Sequence, residues 1–296
     1  MEEPAVPRNA ATVILTRDGL QGQMEVFLMR RHKEQAFMGG AFVFPGGSID
    51  DGDGDPELAT RLIGPSPEEA VKRLQEPGLS FPVALGLYMA AIRETFEEAG
   101  ILLAYDRQGQ LLQFRNPDLN SRYAEARTAV YEKKITLKTL ADREEIRFAF
   151  DLLMPYAHWI TPTFEKKRFN TRFFIARIPA GQIPLHDSVE MTESLWMTPA
   201  AALSAYRERK IMLMPPTLKT LEELSPFAST EALFESAAGR RIYPIMPQGC
   251  KIGDIPTLLL PHDPEYPIQE YKQPPRPGEP SRICFRDKMW QTSMPC

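Results

Sequence analysis

Cysteine is scarce: Cys250, Cys284 and Cys296 are the only three in 296 residues. They are odd in number, widely spaced and late in the chain, a pattern that fits neither a disulfide framework nor a zinc site. Reduced structural thiols are the expectation. No run of about 18 apolar residues occurs, which excludes a spanning helix. The first residues, Met1-Glu2-Glu3-Pro4, lack the basic-then-apolar pattern of a secretory signal, and the terminal Ser-Met-Pro-Cys is not a peroxisomal targeting tripeptide. A cytoplasmic protein with no membrane partner is therefore expected. An excess of positive charge is also missing, since the formal net charge is -4. With no general attraction to polyphosphate backbones, nucleic acid is a disfavoured partner. What is present, 43% hydrophobic and 25% charged residues, suits one large globular domain with an accessory layer.

The most informative stretch is Arg93-Glu94-Thr95-Phe96-Glu97-Glu98-Ala99-Gly100-Ile101, closing a segment with helical periodicity over 81–99. Leu85, Met89, Ile92, Phe96 and Ala99 share one stripe, which leaves Glu94, Glu97 and Glu98 at i, i+3 and i+4 on the opposite side. Like charges at those spacings, at the negative end of a helix dipole, oppose helix formation. A solvated acidic face with Arg93 paired to Glu97 would explain them. A functional face would too, because broken local rules concentrate at sites. Upstream, the apolar Ala41-Phe42-Val43 runs into Phe44-Pro45-Gly46-Gly47 and the acidic Ser48-Ile49-Asp50-Asp51-Gly52-Asp53. This reads as a strand, a tight glycine turn and a loop. Carboxylates plus a backbone carbonyl form a hard-oxygen set suited to Mg²⁺ or Mn²⁺, with no His or Cys nearby to favour zinc.

In these residues the chain resembles the Nudix hydrolases. Gly47 matches the first glycine of their signature, and Arg93 to Ile101 match its second half, with Thr95 at the hydrophobic position. Asp53 stands where the family has glutamate, and about thirty extra residues separate it from Arg93. Loop closure entropy grows slowly with length, so such an insertion is tolerable. The interruption resembles a split-box subgroup that includes peroxisomal coenzyme A diphosphatases. Trp159-Ile160-Thr161-Pro162, the run from Lys167 to Phe174, and Trp196 followed by Pro199 extend the similarity to about Pro267.

The resemblance implies an α/β/α sandwich with a mixed sheet and metal-dependent hydrolysis of a nucleoside diphosphate linked to another moiety. Coenzyme A or acyl-CoA leads as substrate, with ADP-ribose or a nucleotide sugar next. A non-catalytic metabolite sensor or scaffold of the same shape is the alternative from another class, and a homodimer stays open. It implies that Glu94, Glu97, Glu98 and the Gly46 carbonyl hold the metal and that Arg93 orients the carboxylates. The general base is open among Glu94, Glu190 and Glu193.

The rest of the chain supplies further expectations. Asn9 to Leu15 and Glu25 to Arg30 read as a hairpin, ending in Arg30-Arg31-His32 where Arg30 or Arg31 can reach a phosphate. Proline-started helices are expected at 56–62 and 67–75 inside an insertion at about 54–80. Accessory helices follow at about 106–155, including 117–131 and 137–151, packed contiguously with the insertion. Lys166, Lys167, Arg168 and Arg172 form the densest basic cluster. Alternation on a strand over 168–178 puts Arg168 and Arg172 on one face, opposite Phe169 and Phe173, as candidates for bidentate phosphate contact. His186 to Trp196 reads as a polar loop entering a strand. Helices are expected within 198–239, and a proline-rich tail, 268–296, is expected to wrap in extended form or stay partly disordered.

Overall fold

The structure, a computed structural model, describes residues 4–34, 38–114, 116–186 and 190–295. In chain order its elements are β1 (Arg8–Asp18), β2 (Met24–Arg31), β3 (Phe42–Val43), β4 (Gly46–Ser48), a 3-10 turn (Pro56–Arg61), β5 (Leu62–Ile63), α1 (Pro67–Arg73) and α2 (Phe81–Ala99). After these come β6 (Ala104–Tyr105), α3 (Pro117–Tyr131), α4 (Leu137–Glu144), β7 (Arg147–Ala149), β8 (Met154–Ile160), β9 (Phe169–Arg177) and β10 (Met191–Met197). The chain closes with α5 (Pro199–Arg207), α6 (Pro215–Leu224), α7 (Thr230–Ala238), β11 (Pro244–Ile245), β12 (Gln248–Ile252), β13 (Ile255–Leu259), β14 (Arg282–Arg286) and β15 (Met289–Ser293).

The main sheet runs β10-β2-β1-β9-β8-β11. It is mixed: β1 pairs β9 in parallel, whereas β1 with β2 and β8 with β9 are antiparallel. Alternation along the strands builds a core on each face. Val13, Leu15, Phe27, Met29 and Phe174 point toward α2, while Ile14, Val26, Leu28, Phe173 and Ile175 point toward α5, α6 and α7. The result is the expected three-layer α/β/α sandwich.

At one end the hairpin splays. β1 pairs β2 only at Thr16–Asp18, and its first half, Ala10 to Thr12, pairs β4 instead. β3 in turn pairs β2 at Met29 and Arg30. Residues 42–48 therefore form a wedge between the parted strands, directly under the C-terminal end of α2.

α2 departs from the amphipathic picture. Every residue from Ala84 to Arg93 is buried, with the sheet on one side and the insertion and accessory elements around the rest. β5 from the insertion pairs β7, and β7 pairs β6, so the segments flanking α2 in sequence are joined in one small sheet. Gly100 ends the helix in the left-handed conformation (φ 69°), and its N–H donates to the Phe96 carbonyl.

Two other expectations are corrected. The helix expected over 137–151 stops at Glu144, where Glu145 turns left-handed (φ 52°) and buried Phe148 and Ala149 enter β7. The proline-rich tail is ordered: β14 and β15 lie within it, and β14 pairs β13 across residue 267. Its prolines fill the connection after β13, leaving 281–293 free to make ladder hydrogen bonds.

Candidate active site

Gly46 and Gly47 lie in β4, not in a turn, and neither has a left-handed backbone. What demands glycine is proximity. A Cβ on Gly46 would come within 2.4 Å of the Ala11 carbonyl oxygen, and one on Gly47 within 2.3 Å of Glu94 Oε1. The Gly46 N–H donates to Glu98 Oε2 at 2.8 Å. A strand residue's N–H and C=O point the same way, so the Gly46 carbonyl also turns from β1 toward the helix.

One turn earlier, Arg93 organises the remaining carboxylates. Its Nε–H and one Nη2 N–H reach Asp53, the other Nη2 N–H reaches the Ser48 carbonyl at 2.7 Å, and Nη1 donates to Glu94 at 2.9 Å and Glu97 at 3.1 Å. All five guanidinium donors thus have acceptors. Asp53 is only 4% exposed and accepts the Asp50 N–H, which closes the acidic loop on itself. Aspartate therefore makes the buried ion pair at this place in the box. Arg127 on α3 completes the end of α2 by donating to the Glu97 and Glu98 carbonyls at 2.9 and 3.0 Å, groups a helix terminus leaves unsatisfied.

The cluster carries more negative charge than Arg93 can balance. Burial raises the pKa of Asp53 and Glu97 despite the attraction of Arg93. Burial, only partly opposed by Arg93 and assisted by Glu97, pushes Glu94 up to about 7. Burial and then Glu94 hold Glu98 well above the usual carboxylate range. The same carboxylates, Glu94 first, raise the Arg93 pKa against the effect of its burial. As the side chains stand, no three His, Cys, Asp or Glu side chains among the described residues converge on one ion position. The donor set nevertheless fits a hard divalent cation: buried oxygens in charge excess, one saturated guanidinium, and a glycine cradle that a Cβ would fill.

At the rim, strand alternation divides the remaining candidates. Arg31 and Glu190 lie on the α2 side, 4.0 Å apart, and both act electrostatically on Glu98. The Arg31 Nε is buried with no hydrogen-bond partner among the described residues. Arg30 and Glu193 pair with each other at 3.5 Å on the other face, away from the cluster. Of the loop expected to supply a carboxylate, Asp187, Ser188 and Val189 lie outside the described residues.

Arg168 and Arg172 correct the expectation for the basic cluster. Arg168, 7% exposed, donates to the Thr161 and Ala5 carbonyls. Arg172, 3% exposed, is clamped by Glu76 of the insertion (2.7 Å), Asn9 Oδ1 and the Asn170 carbonyl. Both guanidinium groups are buried and bonded to acceptors inside the protein. Arg127 leaves no motif in the chain, because it reaches α2 from the accessory helix α3, about thirty residues away.

Fold and site together define a hydrolase of the Nudix class, and in overall shape the chain is similar to a Nudix hydrolase from Alicyclobacillus acidocaldarius. That likeness has a TM-score of 0.62 and 25% identity, and covers 78% of this chain and 96% of the other. Within the class, the chain belongs to the family described as the NUDT19 Nudix domain, whose sequence model matches residues 7–224. It is similar to a Xenopus laevis acyl-coenzyme A diphosphatase NUDT19, 29% identical over 283 residues, covering 81% of this chain and 72% of the relative. The human protein of the same name is 26% identical over 248 residues, covering 73% of this chain and 64% of that protein.

Proposed function

We propose that this enzyme cleaves the pyrophosphate linkage of coenzyme A or an acyl-CoA, using Mg²⁺ or Mn²⁺ held by Glu94, Glu97 and Glu98 with the Gly46 carbonyl. The observation that carries the reading is the surplus of buried carboxylate around a single saturated arginine, set against a strand stripped of side chains at Gly46 and Gly47. The substrate class is supported by the printed activity of the relatives, acyl-coenzyme A diphosphatase.

A bound divalent ion supplies charge neutralisation on phosphoryl oxygens and lowers the pKa of a water ligand. The chain's own residues do the rest. Arg93, anchored by Asp53 and Ser48, fixes the Glu94 and Glu97 carboxylates at one end of a rigid buried helix. Glu98 is held in place by the Gly46 N–H. The missing side chains at Gly46 and Gly47 let β4 lie directly between β1 and the Glu94 carboxylate, which brings the Gly46 backbone to the carboxylate cluster. Glu94 or Glu190 accepts the water proton in this reading, supported by their position on the α2 side of the sheet, whereas Glu193 pairs with Arg30 on the other face. Arg31 is the basic side chain of the sheet that faces the phosphates.

A panel of CoA, acyl-CoA, ADP-ribose and nucleotide sugars, assayed with Mg²⁺ and with Mn²⁺ and resolved by chromatography, tests this. The expected result is cleavage of CoA or acyl-CoA at the highest kcat/KM, abolished by EDTA. Preference for ADP-ribose or a sugar nucleotide would replace the substrate assignment, and turnover in EDTA would remove the metal.

A further inference from the structure

α3 ends in a Schellman arrangement. The Lys133 N–H donates to the Val130 carbonyl at 2.9 Å and the Lys134 N–H to the Ala129 carbonyl at 2.8 Å. The residue at the left-handed position is Lys133, with φ 56°. Glycine adopts that conformation without a steric cost and an L residue does not. Lysine here takes a backbone position that glycine would fill with less strain, so its replacement by glycine removes the side chain without a backbone penalty.

That side chain reaches the box. Lys133 Nζ lies 2.9 Å from Asp50 Oδ2, and the Asp50 N–H is held by Asp53, the residue that anchors Arg93. Close by, a Cβ on Gly52 would touch the methyl of Thr136, the residue that caps α4, at 3.9 Å, so the connection between α3 and α4 lies against the acidic loop. The fields of Arg93 and Glu97 both reach the ammonium. The pair itself is open to water, with 75% of the Lys133 side chain and 40% of the Asp50 side chain exposed. Exposed ion pairs contribute little, so exchanging Asp50 for another anion is nearly free of cost.

A diphosphate brings further negative charge to a site that already holds Asp53, Glu94, Glu97 and Glu98. Arg93 has no donor left to offer it. Resting on the hydrolase reading, we propose that Lys133 is a substrate-binding residue, whose ammonium exchanges Asp50 for a non-bridging phosphate oxygen.

Lys133→Gly tests this, because it relieves the backbone while removing the charge. The expected outcome is a Tm equal to or above wild type, a KM for CoA raised about tenfold with kcat within about threefold, and inhibition by inorganic pyrophosphate weakened to a similar degree. Lys133→Arg should restore most of the affinity. A lower Tm with KM and pyrophosphate inhibition unchanged would overturn the proposal and leave the lysine a structural cap. If the wild type cleaves no diphosphate, the hydrolase reading fails by itself. Pyrophosphate binding by calorimetry then decides the lysine: weaker binding in Lys133→Gly supports it, and equal binding or none in the wild type overturns it.

Discussion

Arg93 and Arg172 are both buried, and each has an acceptor for every one of its five N–H donors. The difference lies in the charge of those acceptors. Arg172 meets one carboxylate, Glu76, and two neutral oxygens from Asn9 and Asn170, beside a His158 that burial and Arg172 hold well below its usual pKa. Arg93 meets Asp53, Glu94 and Glu97, with Glu98 one turn on. A balanced pair is complete by itself and clamps two elements, here the insertion and the sheet. An unbalanced cluster is unfinished, and its surplus charge calls for a cation from outside the chain.

The largest effect should separate the two. Glu97→Gln or Glu98→Gln removes one surplus charge with little change of shape. Turnover of the best diphosphate substrate is expected to fall by at least about 10²-fold. The metal-free protein should keep its Tm or gain, because a carboxyl group that burial already disfavours as an anion is replaced by its neutral isostere. Paired Tm and kcat measurements decide it: a clear drop in Tm with kcat preserved would make the cluster structural, like the Arg172 clamp.

Glu76→Gln should give the reverse pattern. It strands a nearly buried guanidinium. Breaking a buried pair costs about 3 to 5 kcal/mol, but Glu76 retains 27% side-chain exposure, so a loss of about 2 kcal/mol is expected. The denaturant midpoint should shift accordingly while kcat stays within about threefold. A large loss of kcat with an unmoved midpoint would return Arg172 to the substrate.

The same comparison shows what the sequence can and cannot disclose. The box was legible because Arg93, Glu94, Glu97 and Glu98 sit within two turns of one helix, so local periodicity already places them together. The hairpin, β9, the strand expected after residues 186–190 and the capped helices α5 to α7 were legible for the same reason. Arg172 was misread because its partner, Glu76, is 96 residues away and a basic run in sequence does not show which side chains become buried. Gly46 and Gly47 were recognised as necessary but assigned to a turn. Their actual constraint, the closeness of Ala11 and Glu94, exists only once β4 is wedged against β1. The tail was judged by its proline count, whereas the proline-free stretch Arg282 to Thr292 finds β13 and forms a sheet. The all-round burial of α2 depends on the sheet, the insertion and the accessory elements closing around it, and helical periodicity by itself cannot report it.

The finest test is pH, because contributions of opposite sign leave only a small net change. His158 is 5% exposed, its Nε2 is paired with Asn170 Oδ1, and burial, then Arg172, lowers its pKa from 6.5 to about 4, with Glu76 opposing. Between those values the unfolded chain binds more protons than the folded one. The contribution is therefore intact above pH 6.5 and is lost as pH falls toward 4, by at most roughly 3 kcal/mol. Glu94 acts in the opposite direction: its pKa rises on folding from 4.5 to about 7, so its contribution is present below 4.5 and lost as pH climbs through 7. Asp53, Glu97 and Glu98 are raised in the same sense as Glu94, so in EDTA the histidine offsets only part of the carboxylate contribution and Tm should fall as pH climbs from 4.5 to 7. A divalent cation needs the carboxylates ionised, so adding Mg²⁺ should raise Tm more at pH 7.5 than at pH 5. His158→Gln should flatten the acid limb alone and leave the Mg²⁺ response untouched, while Glu98→Gln should blunt the Mg²⁺ response alone. If His158→Gln altered the Mg²⁺ response as well, the two buried arginine networks would be coupled parts of one site and the distinction between clamp and reaction centre would fall.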